Sequence, residues 1–149
     1  TQTTLSVEEA GAVIRRLEER FPQIEHPPKE DICYATTNRQ LAVKKVAPVV
    51  DAMIVVGSPN SSNSQRLREV AEHEGCPRAV LVNGAADLDW SMFEGITRLG
   101  ITAGASAPEV LVEELVARLE ALGAASVQQL DGITESVVFT LPRELARRR

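Results

Sequence analysis

The sequence predicts an α/β fold, a mostly parallel sheet built from βαβ units. Two observations carry this. Apolar runs such as Ala52–Val56 and Ala79–Val82 have strand length and no polar alternation, as strands covered on both faces require. Segments with helical apolar spacing separate them, and strands that alternate with helices build parallel sheets.

Length and composition agree with one globular unit. The chain has 149 residues, 44% hydrophobic and 25% charged, with a net charge of −5. A chain of this size buries about two thirds of its unfolded surface, enough for a core. No apolar run approaches the ~20 residues that span a bilayer, and no basic-then-apolar leader pattern opens the sequence. The acidic balance argues against nucleic acid, because the one basic cluster is Arg147, Arg148 and Arg149. Two cysteines, Cys33 and Cys76, are too few for a disulfide scaffold. Free thiols in a reducing cytosol are the expectation, with no membrane partner. The chain starts at Thr1 and runs almost directly into a helix, which suggests a piece of a longer protein.

Val7, Ala10, Val13, Ile14 and Leu17 recur at helical spacing, so residues 7–20 read as an amphipathic helix. Ser6 and Glu9 are placed to form its capping box. Pro22, Pro27 and Pro28 mark residues 22–30 as a linker and the best domain boundary. A helical run follows over Gln40–Val46, then a strand at Ala52–Val56 and a helix over Gln65–Glu74 that stops at Gly75. Ala79–Val82 reads as a strand, Asp87–Phe93 as a short helix and Arg98–Ala103 as another strand. Pro108 suits the first turn of a helix over Glu109–Leu122, which ends at Gly123. Val127–Leu130 and Val137–Thr140 read as a strand pair around a turn at Asp131-Gly132.

Three loops share one grammar. TQTTLS (1–6), GSPNSSNS (57–64) and TAGASAP (102–108) each place small hydroxyl or amide side chains just before a helix. In a parallel sheet, loops that leave the carboxyl ends of strands lie on the ligand-binding side. Helix N-termini add unpaired N–H groups and the positive end of the dipole. Gly57 and Gly104 are expected to let a ligand approach the backbone. Ser61, Ser62, Asn63 and Ser106 add neutral donors. A single serine before a helix is ordinarily a cap. Seven of the eight residues from Gly57 to Ser64 are Gly, Ser or Asn, more than capping needs. The convergent expectation is an anion site, most simply for phosphate. No GxGxxG or GxxxxGK[ST] pattern occurs, so ordinary nucleotide binding is disfavoured.

Cys33 stands in DICYATTNR, after the proline-rich stretch and ahead of a helix. A thiol near a helix N-terminus suits metal or nucleophilic work, and a small buried hydrophobe is the competing assignment. Cys76, before Pro77, is assigned to packing. His26 and His73 read as surface residues. With no CxxC and no His pair, this chain does not complete a metal site alone.

TQTTLS, DICYATTNRQ, VVGSPNSSNS with Arg66-Leu67, and GITAGASAP, in this order, resemble the carboxyl-terminal half of the IspH/LytB family, the 4-hydroxy-3-methylbut-2-enyl diphosphate reductases. The resemblance covers nearly the whole chain. It implies three related α/β domains around a [4Fe-4S] cluster, and a bacterial, cytoplasmic enzyme. The implied reaction removes the hydroxyl of an allylic diphosphate with two electrons and protons, giving isopentenyl and dimethylallyl diphosphates in the methylerythritol phosphate route to isoprenoids. Cys33 matches the third of three cluster cysteines, and three thiolates on four irons leave one iron open. Ser61, Ser62 and Asn63 match the diphosphate-binding Ser-x-Asn stretch. Ser106 matches another diphosphate contact, and Thr3, with Thr4 beside it, a substrate-contacting threonine.

The departures define the expectation further. The family's other two cluster cysteines, its diphosphate-binding histidines and its proton-relaying glutamate have no counterpart here, so no catalytic residue is assigned to this chain. On this reading, residues 1–29 end the second domain, 30–122 form the third, and 123–149 are a carboxyl-terminal extension. The partners implied are the missing amino-terminal half and a ferredoxin- or flavodoxin-type electron donor. The chain alone is expected to be inactive. The alternatives are a non-enzymatic phosphate-binding α/β module of sugar-isomerase type, which needs no cysteine, and a docking copy with an exposed apolar face.

Overall fold

Strand β1 (Ala52–Val56) organises the molecule, and every one of its residues is buried. The structure is a computed structural model that describes residues 5–25 and 33–130. Two parallel neighbours flank β1: β2 (Ala79–Val82) on one side and β3 (Leu99–Ala103) on the other. Four helices accompany the sheet: α1 (Val7–Arg20), α2 (Tyr34–Val46), α3 (Ser62–His73) and α4 (Glu109–Ala121).

Alternation along β1 sorts its side chains into two cores. Met53 and Val55 point to one face, where they pack with Val43 and Ala47 from α2 and its extension and with Leu67, Val70 and Ala71 of α3. Ile54 and Val56 point to the other face and meet Val82, Leu88 and Leu115. Burying each such Val, Ile or Met side chain contributes about 1.5–3 kcal/mol. The sheet is therefore the middle of three layers, and the fold class is the α/β parallel arrangement expected.

At the amino ends of the strands, the Asp51 carboxylate accepts from Thr97 N–H (2.9 Å), Thr97 Oγ1 (2.9 Å) and Arg98 N–H (2.8 Å), which fixes β3 against β1. These bonds hold the Asp51 carboxyl below its ordinary range, the Arg98 N–H contributing most.

Helix α1 has the predicted bounds and capping box: Ser6 Oγ accepts from Glu9 N–H (3.1 Å) and Glu9 Oε2 from Ser6 N–H (2.9 Å). Ala10 is its one buried residue. Val13 (53% exposed), Ile14, Leu17 and Phe21 (54% exposed) face solvent.

Several boundaries differ from the sequence expectation. α2 starts at Tyr34, not Gln40, because it buries the polar Thr36 and Gln40 and shows little apolar periodicity. α3 starts at Ser62, three residues early, since Ser61 and not a later residue caps it. The single helix expected over Asp87–Phe93 is two 3-10 turns, Ala85–Asp87 and Trp90–Phe93, parted by extended Leu88 and Asp89. β3 begins one residue late, and α4 ends one residue early. Val127–Leu130 is exposed and forms no strand, so the expected pair lacks its first member; Val137–Thr140 lies outside the described residues. Gly75 and Gly123, at φ 96° and 100°, end their helices as expected.

Candidate functional site

The strand order β2-β1-β3 creates a switch point. From β1 the chain turns through α3 to β2, then crosses back over the sheet to β3. Ligands in open α/β sheets bind at the carboxyl ends of the two strands where the direction reverses. Here those are β1 and β3, and the loops leaving them are the two serine-rich segments.

The ladder pins both loop starts. Gly57 N–H donates to Val82 O (2.8 Å) and Gly104 N–H to Val56 O (2.8 Å). After β1, Ser61 is the N-cap of α3 and accepts from Ser64 N–H at 3.3 Å. Ser62 is exposed. Asn63 Oδ1 is buried with no hydrogen-bond partner among the described residues, and a buried polar atom of this kind calls for a partner from elsewhere. After β3, Ser106 is exposed in the loop that leads into α4. Pro108 precedes that helix and offers no side-chain cap, so the first N–H groups of α4 have no such partner.

The glycines have a different cause from the one expected. A Cβ on Gly57 would collide with the Ser64 hydroxyl and lie 2.7 Å from Ser64 Cβ; a Cβ on Gly104 would collide with the same hydroxyl. Both make room for Ser64, which is 1% exposed, before they make room for any ligand. Sequence reading passed over Ser64 as one more member of the loop.

Helix α2 brings the third component. It runs antiparallel to the strands: Arg39 reaches Ala103 at the carboxyl end of β3, while Val46 packs beside Gly100 near its start. Cys33, the N-cap, lies six positions before Arg39. It is thus carried about 9 Å further toward the carboxyl edge at 1.5 Å per residue. Cys33 is free and exposed, and its side chain makes no capping hydrogen bond. Gln40 is buried and ties in α1: its Oε1 accepts from Val7 N–H at 3.0 Å, and its Nε2 donates to Leu5 O at 3.5 Å. Thr3 and Thr4, just ahead of this anchor, lie outside the described residues. Arg39 and Gln40 carried no signal in the sequence, because each acts on backbone atoms remote along the chain.

The remaining candidates resolve as packing or surface. Cys76 is buried in the core beneath α2 and α3, and its thiol donates to Arg78 O at 3.2 Å. His73 is exposed, and His26 lies outside the described residues. Glu8, His73 and Glu74 cluster within 4.8 Å. The Lys44 ammonium already fills the place of a cation there, paired with Glu8 and with Glu74 at 3.5 Å. Its hydrogen bond to Glu8 holds that carboxyl below its ordinary range. Among the described residues no helix is long and apolar enough to cross a membrane.

Comparison with known proteins gives a consistent result. The LytB protein family matches residues 1–120. A 4-hydroxy-3-methylbut-2-enyl diphosphate reductase of Bradyrhizobium diazoefficiens is 64% identical over 145 residues, 97% of this chain and 45% of that protein. The reductase of Azoarcus sp. is 59% identical over the full 149 residues, 47% of its length. The solved structure of the Plasmodium falciparum reductase superposes with a TM-score of 0.89 at 37% identity, covering 98% of this chain and 46% of that one. The chain thus spans less than half the length of these relatives. With the family match over most of its length, the chain belongs to the LytB family.

Proposed function

We propose that this chain is the carboxyl-terminal part of a 4-hydroxy-3-methylbut-2-enyl diphosphate reductase. Its part would be to hold the diphosphate of the allylic substrate and to supply one thiolate to a [4Fe-4S] cluster. The observation that carries the reading is the meeting of three features at one edge of the sheet: the α3 N-terminus with Ser61, Ser62 and Asn63, the β3–α4 loop with Ser106, and the α2 N-cap Cys33. Thr3 and Thr4 would join the substrate contacts.

The residues present fit such a cluster as one ligand of a set. Cys33 is exposed, unpaired and free of capping duty. Cys76 does not fit, because it is buried and its thiol is bonded to Arg78. The remaining thiolates, the histidines for the diphosphate and the proton-relaying glutamate would come from an amino-terminal half. The exposed apolar residues Val13, Ile14 and Leu17 of α1 and Phe21 just after it support the presence of such a covering half. A ferredoxin- or flavodoxin-type protein would supply electrons from outside.

When bound, the cluster supplies the electrons that cleave the allylic C–O bond. The chain's own contribution is fixed donors. A diphosphate presents many acceptor oxygens and needs preorganised N–H and O–H groups around it. The Ser61, Ser62 and Ser106 hydroxyls, the Asn63 amide and the first N–H groups of α3 and α4 are of that type. The loops that carry them start at Gly57 and Gly104, which backbone bonds tie to the sheet.

The test is a pair of variants in the full-length reductase. Asn63→Ala should raise the KM for the allylic diphosphate and leave the visible absorption of the cluster unchanged. Cys33→Ser should bleach that absorption. If Asn63→Ala removed iron and left diphosphate affinity intact, the two roles are misassigned.

A further inference from the structure

We propose that Ser64 is a positioning residue that fixes the Ser61 hydroxyl as a donor toward the bound anion. This rests on the diphosphate reading above and adds a residue that does not itself touch substrate.

The argument is a count of protons and lone pairs. A serine hydroxyl has one proton and two acceptor lone pairs. Ser61 Oγ accepts from Ser64 N–H at 3.3 Å. Ser64 Oγ lies 3.1 Å from the same oxygen. Ser64 is 1% exposed, and its hydroxyl has no other hydrogen-bond partner among the described residues. A buried O–H must donate to something. Were Ser61 to donate to Ser64, the Ser64 proton would be buried and unpaired. Ser64 therefore donates, and both lone pairs of Ser61 are filled by one residue. What remains on Ser61 is its proton, turned away from the core. The N-cap of α3 can then give a hydrogen bond to an approaching oxygen and cannot accept one.

Two features keep Ser64 in this role. Gly57 and Gly104 close over its hydroxyl from the ends of β1 and β3, so the Oγ sits in a slot that a Cβ at either position would fill. Both glycines are pinned by backbone bonds of 2.8 Å. The slot also couples the two loops that hold the anion, because a shift of either one moves Ser64. A chain of hydrogen bonds polarises its last member, which strengthens the Ser61 proton as a donor to phosphate.

The experiment uses the full-length reductase with Ser64→Ala, Ser61→Ala and the double variant, assayed with the allylic diphosphate and with inorganic diphosphate as a competitive probe. Ser64→Ala should raise KM and the inhibition constant of inorganic diphosphate together, by about tenfold for one well-placed hydrogen bond, with kcat changed less than about twofold and the cluster absorption intact. The double variant should be no worse than Ser61→Ala alone, since Ser64 acts through Ser61. A purely structural role would instead multiply the two losses, and that result overturns the proposal. So does an unchanged KM in Ser64→Ala. Should Ser64→Ala fail to fold, Ser64→Cys, which keeps a weaker donor in the slot, should give an intermediate KM; wild-type KM there counts against it. If the unmodified full-length protein does not reduce the allylic diphosphate, the functional reading fails, a result distinct from any variant outcome.

Discussion

Arg39 Nε donates to the carbonyl oxygen of Ala103 at 3.1 Å, joining residues 64 positions apart. Nη1 of the same guanidinium donates to Ala35 O at 3.3 Å, back along α2. One side chain thus fixes the helix that follows Cys33 against the end of the strand that leads to Ser106. The cysteine and the serine loop are placed by separate elements, and Arg39 sets their mutual register.

Replacing Arg39 should disturb both partners at once. Arg39→Met keeps much of the aliphatic stem and removes both charged donations. It should destabilise the protein by about 1.5–3 kcal/mol, the usual worth of hydrogen bonds from a charged group. Urea unfolding measures this. Arg39→Lys should recover little, because one ammonium lacks the fork that serves two carbonyls in fixed directions.

Gln40 gives a second handle. Gln40→Leu fills the same volume but leaves Val7 N–H and Leu5 O without their partner. The expected cost is about 1–3 kcal/mol for the stranded groups. Loss of helicity confined to α1, followed by circular dichroism against the intact sheet, would show that the amide acts locally.

The slot around Ser64 predicts an asymmetry between glycines. Gly57→Ala and Gly104→Ala place a Cβ against the Ser64 hydroxyl, an overpacking that costs about 1–3 kcal/mol. Adding Ser64→Gly should recover most of that loss. At Gly84 the nearest atom to an added Cβ is 3.5 Å away, on a Leu111 side chain, so Gly84→Ala should be tolerated. Thermal unfolding of the three variants decides it.

Asp51 sets an acid limit. Its carboxyl is held below its ordinary value of 3.8 by the Arg98 N–H first and then by Thr97. A depressed carboxylate stabilises the fold fully above that ordinary value and loses the contribution as pH falls through the folded-state value. Asp51→Asn should therefore be less stable than the parent at pH ~7, and the gap should close toward pH ~2. A gap that stayed constant with pH would show that Asp51 acts by shape and not charge.

The sequence made the architecture readable because the fold is organised by burial. β1 has five buried residues in a row and could be little else. Ser6 and Glu9 announce their capping box by spacing alone. The start of α2 was hidden, since its inward face carries Thr36 and Gln40 and an apolar count passes over them. Val127–Leu130 looked like a strand on composition, but β-propensity reports a packed surface, and no partner strand lies beside it among the described residues. Ser61 and Asn63 stand out in the sequence as part of an excess of small polar residues between Gly57 and Ser64 over what caps require, and Ser106 as a small polar residue ahead of a helix. Ser64 was visible only as part of that excess, because its role depends on two glycines that the sheet, not the sequence, brings together.

Among the described residues, several contacts tie the amino end of helix α1 to the body of the protein. Its capping box, the Gln40 bond, the pairing of Glu8 with Lys44, the 3.1 Å pairing of Glu9 with Arg66, and buried Ala10 all fall in or beside its first turn. From Val13 onward its apolar side chains face water. Local opening free energies follow buried contact, so the amide protons of the exposed residues 13–20 should trade with deuterium faster than those of the first turn. Those of β1 should wait for the whole chain to unfold. In that sense α1 pivots on its first turn, where Ser6 caps it and Ala10 is buried.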